Sequence, residues 1–143
     1  MAADSRQPYP NHNYVPEYQI SGIPYVTSSH TLSTGEVTQI QFPYVTRWIV
    51  IHNDDVGNSP LRFGFTENGV DGNPDKNYFV LNGGEISPRL EVKTKDLWVK
   101  SQGNGNLHYS VIAGLTSVQR EYFPTLTGSL EDDNGNTLLP GVG

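Results

Sequence analysis

At 143 residues the chain has the size of one domain, long enough to bury a core without metals or disulfides. It contains no cysteine, which excludes a disulfide framework, a thiolate metal site and a cysteine nucleophile together. A formal charge of -6, an isoelectric point near 5.0 and nine scattered basic residues argue against a phosphate-binding surface.

In chain order, Met1 to Ser21 interleaves Pro8, Pro10 and Pro16 with Tyr9, Tyr14 and Tyr18. Proline favours an extended course and each tyrosine offers apolar area with a hydroxyl, so residues 1–21 read as an N-terminal arm that lies along another protein's surface. The first ten residues lack the basic and apolar blocks of a leader, no run is long and apolar enough for a membrane span, and no Asn-x-Ser/Thr sequon occurs. The expectation is a protein made and used without secretion.

From Ile23 the texture changes to short strands separated by Gly, Pro, Asn and Asp. Eight are expected, over Ile23–Ser28, Glu36–Phe42, Thr46–Asn53, Leu61–Thr66, Asn77–Leu81, Arg89–Thr94, Asp96–Ser101 and Leu107–Leu115. Alternation supports several of them: Leu61, Phe63 and Phe65 oppose Arg62 and Gly64, and Leu90 and Val92 oppose Arg89, Glu91 and Lys93. The run Arg47-Trp48-Ile49-Val50-Ile51-His52-Asn53 carries bulk on both faces and reads as a central strand covered on each side. Ser33-Thr34-Gly35, Asn82-Gly83-Gly84 and Gly103-Asn104-Gly105-Asn106 supply turns. Arg89, Lys93, Lys95 and Lys100 alternate with Glu91 and Asp96, as on a solvated sheet face.

Such a pattern suits an all-β, eight-stranded antiparallel jelly-roll sandwich over residues 22–116, with strands one, eight, three and six in one sheet and two, seven, four and five in the other. An immunoglobulin-type sandwich fits the strand count less well. Residues 117–143 carry Tyr122-Phe123-Pro124, Glu131-Asp132-Asp133 and Pro140-Gly141 and read as an extended C-terminal arm. Tyr9, Tyr14, Tyr18, Tyr122 and Phe123 are the residues expected to bind partners.

The ingredients of catalysis are sparse. The four histidines, His12, His30, His52 and His108, form no His-x-His or His-x-x-x-His pair. Asp71-Gly72-Asn73-Pro74-Asp75-Lys76-Asn77 alternates oxygen donors as a calcium loop does, but Lys76 stands where an EF-hand needs glycine and Asn82 where it needs glutamate. Asp54, Asp55, Glu67, Asp71, Asp75 and Glu85 lie in or beside loops, where acidic residues serve turns. Trp48 and Trp98 fall within strands and read as packing residues. The expectation is a protein that is not an enzyme and holds no cofactor or metal.

The stretches Phe42-Pro43-Tyr44-Val45-Thr46-Arg47-Trp48-Ile49, Leu61-Arg62-Phe63-Gly64-Phe65-Thr66-Glu67-Asn68-Gly69-Val70, Pro88-Arg89-Leu90-Glu91-Val92-Lys93 and Ser110-Val111-Ile112-Ala113-Gly114-Leu115-Thr116 resemble the single-jelly-roll penton, or vertex, capsid proteins of icosahedral double-stranded DNA viruses. The resemblance spans about Tyr25 to Ser129. It implies a structural virion protein, assembled inside a host cell, whose homopentamer closes a five-fold vertex and whose arms reach neighbouring major and minor capsid proteins. Two readings of other kinds stand beside it: a carbohydrate-binding jelly-roll module, which would line exposed aromatics along a sheet face, and a phage head-decoration or fibre-base protein.

Overall fold

The computed structural model describes residues 22–32, 35–55, 59–72, 76–102, 107–126 and 133–134. The N-terminal arm with Tyr9, Tyr14 and Tyr18, the turn Gly103–Asn106 and residues 73–75 of the acidic loop lie outside them.

The chain is mostly β, in two antiparallel sheets. Strands β1 (Ile23–Leu32), β7 (Leu107–Gln119) and β3 (Tyr44–Asn53) form one sheet in the order β1-β7-β3. Strands β2 (Val37–Gln41), β6 (Asp96–Ser101), β4 (Leu61–Gly64) and β5 (Phe79–Leu81) form the other, in the order β2-β6-β4-β5. The main core joins them: Ile49, Ile51, Val111, Ala113 and Leu115 from the first sheet meet Ile40, Leu61, Phe63, Leu97 and Val99 from the second. Tyr25 packs edge-on against Phe42 at the open side of this core, ring centroids 5.3 Å apart.

Arg89–Thr94, expected as the sixth strand, is not a regular strand. Residues 84–94 nevertheless run along the free edge of β3. Leu90 and Ile49 exchange both backbone bonds, at 2.8 and 2.9 Å, and Asn53 N–H donates to Glu85 O at 2.9 Å. Ser87 N–H donates to Ile51 O at 2.8 Å and Thr46 N–H to Thr94 O at 2.9 Å, and side chains fill the gaps among these main-chain bonds. Ser87 Oγ accepts from Ile51 N–H at 2.9 Å, and Thr46 Oγ1 accepts from Thr94 N–H while donating to Val92 O. Pro88 has no N–H to give, and Val92 N–H turns back to Leu90 O, which explains why the segment cannot hold a continuous ladder. The alternation read from the sequence survives in burial, with Leu90 and Val92 half-buried against the core and Arg89, Glu91 and Lys93 exposed.

The central run is covered more unequally than its sequence suggests. Ile49 and Ile51 are fully buried, whereas Trp48 and Val50 are half-buried on the outer face of the sheet. Register places Trp48 opposite Gly114 of β7. A Cβ at Gly114 would collide with the indole of Trp48, so this glycine is the space the ring occupies.

The expected loop after β4 begins with a short helix, α1 (Glu67–Asp71). Thr66, expected as the last strand residue, caps it instead, its Oγ1 accepting from Gly69 N–H at 3.0 Å, and Gly72 ends it at φ 82°. Helix α1 sits on the outer face of the second sheet. Val70 is fully buried there, and a Cβ at Gly64 would lie 2.7 Å from its Cγ2.

At the end of β3, Asn53 is fully buried and works as a polar junction. Its Nδ2 donates to Ser59 O at 2.8 Å and Leu81 O at 3.0 Å, its Oδ1 accepts from Asp55 N–H, and its main chain bonds Glu85 and Gly84. Asp55 in turn accepts from Ser59 N–H at 2.8 Å. Removing the Asn53 amide leaves two carbonyls and one N–H unpaired at a dry site, so Asn53→Ala should cost about 1–3 kcal/mol. Denaturant unfolding would register this as a lowered midpoint at unchanged slope, and a wild-type midpoint would show that the junction is dispensable.

Candidate interaction surface

Among the described residues the groups considered for chemistry are spread over several elements. Among the described residues no three His, Asp or Glu side chains lie together as a metal site would require. His52 and His108 share the outer face of the first sheet but sit out of register, His52 opposite Ser110. Asp55 is committed to the Asn53 junction, and Glu85 accepts from Asn82 N–H at 2.8 Å within its own turn.

Asp71, the first donor of the calcium-like loop, is held by a cation of the protein itself. Lys100 Nζ lies 2.8 Å from its Oδ1, and the Lys100 side chain is 17% exposed, so this lysine is not part of a freely solvated face as its sequence pattern suggests. Arg62 Nη1 donates to the carbonyls of Val70 and Asp71 while its guanidinium lies over the Tyr78 ring at 4.3 Å. Two cations thus close the carbonyl end of α1. The hydrogen bond from Lys100, then its charge, hold the Asp71 carboxyl below the ordinary carboxylate range. By contrast, Arg89 and Glu91 form the exposed pair expected of a solvated edge, at 2.8 Å.

The C-terminal boundary also shifts. Strand β7 continues past Leu115 to Gln119, followed by a 3-10 turn at Arg120–Tyr122. Arg120 fastens that turn: Nη1 donates to Phe42 O and Lys95 O at 2.9 and 3.1 Å, and Nη2 meets Asp96 Oδ1 at 2.9 Å. Phe123, expected at a partner surface, is instead buried with Val45 and Val118, Leu126 packing beside them. Its burial follows from Arg120 bending the chain back over the sandwich, a contact with no periodic signal in the sequence. Tyr122, at 52% exposure, points outward as expected.

What the described surface does offer is apolar area. On the outer face of the first sheet, register aligns Pro24, Gly114 and Trp48 in one row and Val26, Ile112 and Val50 in the next, with Val26 67% and Ile112 42% exposed. A second apolar feature is a lateral cleft of about 270 Å³ where the sheets part. Phe63 of β4, Phe65 just past its end and Phe79 of β5 line one side, and Ser87, Pro88, Leu90 and Val92 line it from the irregular edge. Phe79 stands 59% exposed at its rim, its ring 5.4 Å from that of Phe63. Such a cleft takes an apolar side chain and lacks the convergent polar groups by which small molecules are oriented. The sequence showed the Leu61-Phe63-Phe65 alternation, but the other wall of the cleft is the edge segment, whose course was not readable.

Trp98 sits in a smaller, more polar hollow with Gln39, Glu67 and Asp96. The exposed aromatics among the described residues, Tyr44, Phe79 and Tyr122, belong to a strand start, an edge strand and the 3-10 turn rather than to one sheet face. Compared with known proteins, the chain matches no family model and no curated sequence.

Lowering of the Asp71 carboxyl means that its contribution to stability is complete above the ordinary carboxylate range and is lost as pH falls through the lowered value. Carboxyl NMR titration should therefore show the Asp71 midpoint rising towards the ordinary range in Lys100→Met. An unchanged midpoint would mean that Lys100 does not set it.

Proposed function

We propose that this chain is a structural capsid protein of the penton type, five copies of which close a five-fold vertex of an icosahedral virion. The observation that carries the reading is strand order. With residues 84–94 counted as the fourth member beside β3, the first sheet runs β1, β7, β3, edge segment, and the second runs β2, β6, β4, β5. On this reading the two orders correspond to the one-eight-three-six and two-seven-four-five arrangement of a jelly roll, with residues 84–94 in the place of its sixth strand. Tyr122 and the arm tyrosines Tyr9, Tyr14 and Tyr18 are the side chains offered to neighbouring capsid subunits, and the lateral cleft gives adjacent copies an apolar socket at one edge.

Native mass measurement tests the assignment. A species of about five times the 15.8 kDa chain is expected at high protein concentration, falling apart on dilution, while a monomer throughout would overturn the reading. A second reading rests on the polar hollow beside Trp98. A monomer that binds a glycan, and loses that binding in Trp98→Ala, would favour a carbohydrate-binding module.

A further inference from the structure

Asn68, Asn82, Asn104 and Asn134 each precede a glycine. The pairing matters chemically, because a glycine main-chain nitrogen, uncrowded by a side chain, can reach the side-chain carbonyl carbon of the asparagine before it. Residues 104–106 and Gly135 lie outside the described residues, which leaves Asn68-Gly69 and Asn82-Gly83 to compare. They differ in what holds the glycine nitrogen. Gly69 is buried in α1, and its N–H donates to Thr66 Oγ1 at 3.0 Å. Asn82-Gly83 stands in the turn after β5, closed by Glu85 N–H donating to Asn82 O at 3.0 Å, with Gly84 at φ 81°. Gly83 N–H makes no hydrogen bond among the described residues. The Asn82 side chain is exposed, its Nδ2 donating to Glu85 Oε1 at 3.3 Å.

We propose that Asn82 is a site of slow covalent self-modification, passing through a succinimide to aspartate and isoaspartate, and that the isoaspartyl form loosens the Asn53 junction. Gly83 N bonds to Asn82 Cγ, and the side-chain nitrogen leaves as ammonia, taking up the proton that Gly83 N–H gives up. Water then opens the ring, and no oxidant or reductant is needed. Opening at the Cγ–N bond gives aspartate. Opening at the main-chain carbonyl leaves the chain running through Cβ and Cγ, longer by one main-chain atom, with the former main-chain carbonyl turned into a carboxylate.

Position gives this change its effect. Asn53 is fully buried, and its partners flank the turn: Leu81 O accepts from Nδ2, Gly84 N–H donates to Asn53 O, and Glu85 O accepts from Asn53 N–H. A longer link between residues 82 and 83 shifts Gly84 and Glu85 relative to Leu81, against keeping all of these bonds. The new carboxylate also replaces the carbonyl that accepted from Glu85 N–H. It falls beside the Glu85 carboxylate, which accepts from Asn82 N–H at 2.8 Å, so like charges meet in the turn. The inference concerns a single chain and is independent of the vertex reading.

The full chain, aged at neutral to mildly alkaline pH, tests both steps. Peptide mass spectrometry follows the gain of about one mass unit when NH2 becomes OH, and enzymatic methylation of isoaspartyl carboxyls marks the iso form. Asn82 should convert about tenfold faster than Asn68 in the folded chain, and at a similar rate in denaturant, where the fold no longer separates the two pairs. Equal conversion in the folded chain, or none at Asn82, would overturn the proposal. Unfolding midpoints then read the junction. Aged wild type should unfold at lower denaturant than fresh wild type, whereas aged Asn82→Gln, whose longer side chain closes to an imide far more slowly, should match its own fresh sample. An equal loss in both would assign the damage to other asparagines and sink the link to Asn53, as would a fully converted wild type with an unchanged midpoint.

Discussion

Strand β3 has two neighbours, and only one of them is a strand. Its inner side chains, Ile49 and Ile51, are at the centre of the core, so its backbone groups have no access to water and each must find a partner. β7 supplies one side. On the other, an irregular chain alternates main-chain bonds with the Ser87 hydroxyl, while Thr46 of β3 reaches out to Val92 and Thr94 and the Asn53 main chain closes the edge on Gly84 and Glu85. The rest of the molecule follows from this accommodation. Residues 87–92 of that segment form one wall of the lateral cleft, facing Phe63, Phe65 and Phe79. Because Asn53 gathers Ser59, Leu81 and Gly84, the loops at that end of the sandwich are fastened to the strand that most needs its edge closed.

Hydrophobic burial and polar pairing have different tasks here. The core would drive collapse of almost any arrangement with the same alternation, since apolar burial is non-directional. Direction comes from the polar contacts. Thr46, Ser87, Asn53 and Arg120 each make bonds that hold only for one register and one path of the connecting chain, and each would leave buried groups unpaired in a slipped alternative. Helix α1 is a smaller instance: Thr66 and Gly72 set its two ends, and Lys100 and Arg62 hold its carbonyl end to the sheet beneath.

The strands were legible because alternation is a local property. Leu61-Arg62-Phe63-Gly64 and Asp96 to Ser101 show their buried faces in the order of their residues, and β2, β6 and β7 lie close to their expected positions. Three things were not legible, for a common reason. Ser87 entering the β3 ladder, Arg120 reaching Phe42 and Lys95, and Lys100 holding Asp71 are contacts between residues 25 to 78 positions apart, and nothing local distinguishes these side chains from solvated ones. Thr66 is different. A Thr followed by Glu67 and, six residues on, Gly72 is a legible helix signature, overridden here by the stronger alternation of the strand before it.

The irregular edge beside β3 also bears on how errors would be handled in an assembly of this protein. A regular exposed edge invites another chain to continue the sheet, and such pairing, once begun, extends residue by residue and is slow to undo. Residues 84–94 offer Pro88, a ladder interrupted by hydroxyls and the charged pair Arg89–Glu91, so no neighbour can add a regular strand there. Subunits meeting at this edge would touch through side chains in a shallow socket. Contacts of that kind break as readily as they form, so copies that met there would separate again rather than lock into a continued sheet.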